Sequence, residues 1–525
     1  MNAPPTKASS KIYPQLGMLI PARERLAVWG AGLIAGALSL IWIAHPAQAN
    51  GVVGDGTPAS CTESALRAAL NHGGVVTFRC GSQPVTITLT GELRPTRDVE
   101  IDGGGPEQGG RIILDGGHQT RLIWLQNITL TLRNLTLVRG RSDKGGAVRA
   151  VGYSARVVVD NSIFRDNDGT AGPNEAGGGA ISMHYGQLHV EDSLFEDNRG
   201  INGGAIYNLR CPVTILRSVF RRNSSAYGGV VANFGFGGAV YNDGAGRPGV
   251  GGRVVIHDSL FISNTARNFG GAVYTYLYYP DSSEIARSLF SGNVVLLSNG
   301  RRASGGGLMH HNGPLSLRDS TFINNLSQDA GGAVLVAQTT ITPGWNYAHL
   351  TNLTIVGNRA DSPDDSLGSG GGLFFNGGQV TVTNVTLADN YADQFGGAIY
   401  NTTANAADVL LRNVIIGRNQ LGRVHSSAQC AGALRGAPNL QSPGDGAPCV
   451  SGIALADPGL DAAVGYHGGA LPTLALRPTS PAIDAGADCP PFDQRGIPRV
   501  GRCDLGAFEY LPPRAFIPTA SRNTP

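Results

Sequence analysis

The chain has 525 residues, a net charge of +2 and 15% charged residues, which excludes a basic nucleic-acid footprint and an acidic tail. Hydrophobic residues make up 41%, enough for a core, so global disorder is excluded as well. Glycine, at 76 residues, is about twice the usual ~7%, yet no Gly-X-Y period runs through the chain and collagen is ruled out.

Residues 1–49 read as an export segment. Lys7, Lys11, Arg23 and Arg25 precede an uncharged run, Leu26–Ala44, and Ala47-Gln48-Ala49 forms an A-x-A cleavage pattern. About 18 apolar residues can also span a bilayer, so the segment is either a cleaved signal peptide or a retained anchor. Membrane contact is expected only through this segment, if it stays uncleaved. Either way the rest of the chain lies outside the cytoplasm. Cysteine usage agrees: Cys61–Cys80, Cys430–Cys449 and Cys489–Cys503 are close pairs outside the repeats, suited to disulfides, and Cys211 is left over as a buried thiol. No C-x-x-C spacing occurs, and neither a metal nor a cofactor is expected.

Residues 50–130 are expected to form an N-terminal cap and the first coils. In CTESALRAALN, Ala65, Leu66, Ala69 and Leu70 share one helical face and Thr62 stands at the helix start. Strands over Val75–Arg79, Val85–Leu89 and Ile112–Leu114 lead onward. Asp102 and Asp115, in IDGGG and LDGG, belong to turns.

Between residues 131 and 425 two phrases alternate. One is GGAIYN, at Gly203 and Gly396, with relatives GGAVRA (Gly145), GGAISM (Gly178), GGAVYN (Gly237), GGAVYT (Gly270), GGLMHH (Gly306), GGAVLV (Gly331) and GGLFFN (Gly371). The other runs from a degenerate NLTLVRG (Asn134) through NSIFRDN (Asn161) and DSLFISN (Asp258) to NVIIGRN (Asn413), at about 31 residues per rung. Such a period marks a repeat array. One column, Leu137, Phe164, Phe195, Phe220, Phe261, Phe290, Phe322, Ile355, Leu387 and Ile416, is never polar and should face inward. The residue after the alanine of the first phrase, from Val148 to Ile399 and including Met309 and Phe374, should also face inward. The next column, Arg149, Ser182, Tyr207, Tyr241, Tyr274, His310, Leu335, Phe375 and Tyr400, mixes polar and aromatic residues and should face outward.

Two short strands per rung, with glycine and asparagine turns, do not suit helices. The simplest geometry is a coil in which each rung is one turn of a parallel sheet. The fold expected is all-β, a right-handed parallel β-helix of about ten or more coils. Insertions such as Ala226–Gly237 and Thr339–Ala348 should bulge from turns. The closing asparagines, Asn167 to Asn419, tolerate a left-handed backbone and can stack into a ladder. Asp192, Arg217, Asp258, Arg287 and Asp319 alternate in charge within one column, which suits register control. Residues 426–510 should add C-terminal coils and an irregular, disulfide-pinned cap, SPAIDAGADCPPFDQRGIPRVGRCDLGAFEY (Ser480–Tyr510), followed by an extended tail, 511–525.

The repeated GGA[IV] with FxxN resembles the repeats of bacterial polymorphic outer-membrane proteins and related pectin-lyase-like β-helices. CTESALRAAL is similar to the cysteine-led opening of many such secreted bacterial proteins, and SPAIDAG…DQRG…DLGAFEY is similar to the choice-of-anchor Q domain family. The matches run from about Cys61 to Tyr510. The resemblance implies a secreted or cell-surface β-helix, extracellular or on a bacterial surface, often adhesive. It departs from the family's pattern in one respect. The residues after the repeats do not supply the many ~10-residue alternating strands of a translocating barrel, so export through a barrel of its own is not expected.

The preferred functional reading is a non-enzymatic, adhesive scaffold facing a polysaccharide or cell-surface glycan through Tyr207, Tyr241, Tyr274, His310, Phe375 and Tyr400, whose rings can stack on sugars. The alternative is a polysaccharide lyase or glycoside hydrolase. Its candidates are Asp258 and Asp319, two rungs or ~10 Å apart, with Arg287 between them. The NTD, DD, GHG and RIK motifs of pectin-hydrolysing enzymes are not assembled: Asp364-Asp365 stands alone, and Tyr466-His467-Gly468 is not GHG. His184, His310 and His311 are read as surface residues. The sequence carries no indication of oligomeric state.

Overall fold

Alternation decides the walls. In the strand Arg156–Asp160, Val157 and Val159 point inward while Arg156, Val158 and Asp160 face out. A corner follows at Asn161 (φ 44°), and the strand Ile163–Arg165 then sends Phe164 inward. A second corner at Asp166 (φ 53°) and the buried Asn167 lead through a Gly-Gly-Ala turn into the strand Ile181–His184. Each strand pairs in parallel with its counterpart one coil away, as in Val157↔Leu188, Phe164↔Phe195 and Ile181↔Ile206.

The computed structural model describes residues 49–104, 112–172, 177–226, 234–297, 302–339, 342, 344–363, 368–405, 408–422, 429–442 and 446–512. Residues 1–48, where the sequence suggests a signal peptide or anchor, residues 513–525 and Asp364-Asp365 lie outside them. The described strands form three parallel sheets of 25, 11 and 6 strands, running from Ala49–Val53 to Ala454–Leu455. The chain is a parallel β-helix.

Two strands per rung are expected; the described coils in the middle of the chain have three principal ones, two of which merge into single strands at Tyr347–Val356 and Gln379–Ala388. The extra wall, Arg156–Asp160 in one coil and Ser282–Ala286 in another, carries no recurring phrase. Only its inward residues are constrained, and most are simply aliphatic. Some coils add a short fourth strand such as Thr265–Arg267.

Inside, the phenylalanine column stacks ring on ring. From Phe164 to Phe322 the neighbouring centroids are 4.5–5.0 Å apart, with planes within 9°. Beside it runs the asparagine ladder. Asn264 donates from Nδ2 to Phe220 O and to Asn293 Oδ1, and its Oδ1 accepts from the backbone N and Nδ2 of Asn223. A serine ladder lies two residues before the phenylalanines, where the backbone N of Ser218 donates to Ser259 Oγ at 3.2 Å and the N of Ser259 to Ser288 Oγ at 3.2 Å.

The expected outward column needs a correction at two rungs. Leu308 pairs with Val273 and Leu373 with Val334, so Gly305-Gly306-Gly307 and Gly370-Gly371-Gly372 take the place of Gly-Gly-Ala. The inward position is then Leu308 and Leu373, and the outward one Met309 and Phe374. His310 and Phe375 shift one place onto the inward face, where both are fully buried.

At the N-terminal end the helix Glu63–Leu70 begins at Thr62, whose Oγ1 accepts from the N of Ala65, and buries Leu66, Ala69 and Leu70. Cys61–Cys80 fastens it to the first coils. Cys430–Cys449 and Cys489–Cys503 pin the other end. The C-terminal segment also returns along the outside of the phenylalanine wall. Gln494 Nε2 donates to Thr321 Oγ1 and its Oε1 accepts from Thr354, both at 2.6 Å, while the N of Ala507 donates to Thr386 Oγ1. Asn352, Asn384 and Asn413, at successive corners, donate to the carbonyls of Phe492, Asp504 and Ala487.

Candidate functional site

The extra wall carries an open groove. Its outward residues come at every second position. Glu284, Ser316, His349 and Thr381 form one vertical row, and Arg253, Tyr347 and Gln379 stand beside it. The short side chains of Ser282 and Ser316 lie between the taller Arg253 and Tyr347, with Thr381 one coil beyond, leaving a trough of about 550 Å³. That is the size of an ordinary ligand site. The Tyr347 ring is 37% exposed and lies 5.2 Å from the ring of His349.

Glu284 is the carboxylate of this trough. It accepts from Arg253 Nη2 at 2.6 Å and Arg318 Nη2 at 3.2 Å, and meets His257 Nε2 at 3.1 Å. Burial pushes its carboxyl up, but His257, Arg318 and Arg253 together hold it below its ordinary range. His257 is pushed down, by burial first and by Arg287 and Arg318 after it, against the pull of Glu284. A glycosidase needs a second carboxylate across the cleft, and the residues lining this trough include none.

The residues singled out in the sequence fall elsewhere. Tyr207, Tyr241 and Tyr274 do face outward, but they are 2, 7 and 3% exposed. Their rings pack on one another and against Phe236 and Phe269, so the open strip is absent. Tyr400 is half-buried on Phe374 and Phe395. Of the histidines read as surface residues, only His310 is fully buried; His184 and His311 are partly exposed. His310 lies between Thr275 Oγ1 (2.8 Å) and Gly313 O (3.1 Å), and burial lowers it to about 4. Burial also lowers the half-buried His184 and His311 to about 4, with Arg149 and Lys144 contributing at His184. Cys211 is a buried free thiol pushed up to about 12 by burial, hence unreactive.

Asp258, Arg287 and Asp319 are brought together at successive corners on the phenylalanine wall. Arg287 grips both oxygens of Asp258, and Asp319 accepts from Arg318 Nη1 at 2.9 Å. They line a second cleft, of about 540 Å³, with Leu471 and Phe492 of the returning C-terminal segment. Sequence reasoning missed Tyr347, His349, Glu284 and Phe492. For the first two the signal is present in Tyr347-Ala348-His349-Leu350, whose alternation marks a strand with two large residues outside.

The Chlamydia polymorphic membrane protein repeat matches residues 258–276. That stretch holds one copy of each phrase, so the chain carries this repeat. No curated protein matches the chain. Among solved structures, the catalytic unit of a thermostable GH87 alpha-1,3-glucanase from Streptomyces thermodiastaticus strain HF3-3 is similar at 14% identity and a TM-score of 0.37, over 78% of this chain and 66% of that one. The chain thus spans just under two thirds of that catalytic unit. Pectate lyase Pel9A is similar at 15% identity and a TM-score of 0.32, over 86% of this chain and 91% of that one. These likenesses concern the fold.

Proposed function

We propose that the protein works outside the cell as a rigid β-helix scaffold that holds a polysaccharide or cell-surface glycan without cleaving it. The observation carrying this reading is the trough itself, where the exposed Tyr347 ring stands over a row of hydroxyl and amide side chains. An aromatic face with hydrogen-bonding neighbours suits sugar rings. Glu284, bound by two guanidinium groups, is poorly placed to act as an acid or base. Three disulfides and a repeat shared with a bacterial membrane protein family support an extracellular or cell-surface location.

The lyase or hydrolase reading has one observation in its favour: Glu284 and the exposed His349 stand in one row on either side of Ser316. A single assay separates the two. The purified chain is passed over immobilised acidic and neutral polysaccharides and the eluate is checked for cleavage products. Retention that falls at least tenfold in Tyr347→Ala, with no new reducing ends or unsaturated sugars, is expected. Turnover, or retention indifferent to Tyr347→Ala on every one of these polysaccharides, contradicts the proposal.

A further inference from the structure

The second cleft lies on a different wall from the trough and is assembled from two distant parts of the chain. Its solenoid side offers Asp258, Arg287 and Asp319 at successive corners, about 4.8 Å apart, beside Leu260. Its other side is the returning segment, with Leu471 and Phe492; the Phe492 ring is 51% exposed. Gln494, buried and bonded to Thr321 and Thr354, fixes this segment on the solenoid, so the cleft exists only while the segment is docked.

Each carboxylate of the lining, Asp258, Asp319 and Asp493, is paired with a guanidinium group, that of Arg287, Arg318 and Arg495 respectively. Arg287 Nε and Nη2 donate to the two oxygens of Asp258 at 2.7 and 2.8 Å, and Asp319 accepts from Arg318 and from Asn352 Nδ2 at 3.0 Å. Neither a free anion nor a free cation gains much from such a site. The carboxylates still have lone pairs, the guanidinium has further N–H groups, and the Asp258 and Arg287 side chains are 40 and 43% exposed. Neutral hydroxyl-rich ligands use that combination, with hydroxyls on Asp and Arg and the C–H face of the sugar on an aromatic ring.

We propose that this cleft binds a short stretch of neutral saccharide, with Phe492 stacking on a ring and Asp258, Arg287 and Asp319 bonding its hydroxyls. The site is additional to the trough, and Tyr347 plays no part in it. The size of the cleft, about 540 Å³, suits a ligand of this scale.

Saturation-transfer NMR on the full chain tests it, with cellotriose, maltotriose, laminaritriose and trigalacturonate as probes. At least one neutral trisaccharide should show transfer that weakens at least tenfold in Phe492→Ala and in Asp258→Asn/Asp319→Asn, and persists in Tyr347→Ala. Phe492 is exposed and the Asn substitutions keep the shape of the side chain, so a circular-dichroism melt should match wild type. No transfer from any neutral probe, a stronger signal from trigalacturonate, or transfer that survives Phe492→Ala overturns the proposal. Loss in Tyr347→Ala alone places the sugar in the trough, which overturns this site and leaves the scaffold reading intact.

Discussion

At the scale of single residues, the corners show how sequence and backbone constrain each other. Asp192, Arg217, Asp258, Arg287 and Asp319 all hold φ between 44° and 53°, a region that side-chain-bearing residues enter at a cost of roughly 1–2 kcal/mol. Exposed ion pairs return only about 0–1 kcal/mol each. The pairs therefore set register more than they add stability, since like charges at adjacent corners would repel. The buried titratable groups have larger consequences. His310 is held neutral, near 4 rather than 6.5, by burial. A histidine whose folded value lies below its unfolded one contributes stability above pH 6.5 and loses it as pH falls toward 4, because the unfolded chain binds more protons there. The half-buried His184 and His311 act in the same direction. Glu196 is pushed up by burial but held lower overall by hydrogen bonds from Arg221, Arg222 and Arg165, so its contribution is lost further down, below pH 4.5. Chemical denaturation should show stability falling between pH 6.5 and 4, by roughly 3 kcal/mol for His310 in full. His310→Gln should flatten that slope; an unchanged slope would show that His310 is not held neutral in the fold.

At the scale of elements, two internal ladders carry the coil. Phe261 is fully buried between Phe220 and Phe290, at 5.0 and 4.9 Å. Phe261→Ala should cost about 3–5 kcal/mol, from lost burial and an unfilled cavity. Asn264→Ala removes four hydrogen bonds and strands buried donors on Asn223, which should cost about 3 kcal/mol despite the smaller change in volume. Urea denaturation of both variants checks these values, and a cost below about 1 kcal/mol for either would contradict the ladder account. These two columns were legible in the sequence because identical inward neighbours recur once per coil and stack on themselves. The wall bearing Glu284, Ser316 and His349 was hidden because it needs only alternation, and its outward residues differ from coil to coil. The misplacement of His310 and Phe375 has one cause. Leucine directly after a glycine pair looks like the alanine position, yet the chain uses a third glycine, Gly307 or Gly372, at that point. Added Cβ atoms there would lie 2.9 Å from Ala333 O and 2.7 Å from Ala398 O, so the close backbone approach favours glycine.

At the scale of the whole molecule, the ends and the flank decide what the rod can do. Raw strand edges at either end of a solenoid invite pairing with other chains. The helix Glu63–Leu70 covers one end. On the flank of the last coils, residues beyond them pack Leu460, Leu474, Leu476 and Phe508 against the outward-facing Ile415 and Leu440. The DQRG and DLGAFEY motifs now have a structural role. Asp493 accepts from the N of Ile497 and Glu509 and from Arg495 Nε, and Arg499 Nη1 donates to Glu509 Oε2 at 2.9 Å, all largely out of water. They fold the segment that lies along the flank, and that segment creates the second cleft. Nothing in the spacing of these motifs showed that they would dock beside coils more than a hundred residues earlier in the chain. Both proposed sites depend on neighbouring coils sitting one directly above the next. Thr214 and Val255, 41 residues apart, are partners across adjacent coils on an outward, half-buried position. Cysteines placed at both should form a disulfide under oxidising conditions, since adjacent parallel strands bring Cα atoms within bridging range. Rapid, near-complete crosslinking of Thr214→Cys/Val255→Cys, with none for Val158→Cys/Val255→Cys three coils apart, is the predicted result; failure of the first pair to crosslink, or equal crosslinking of both, would contradict the coil register.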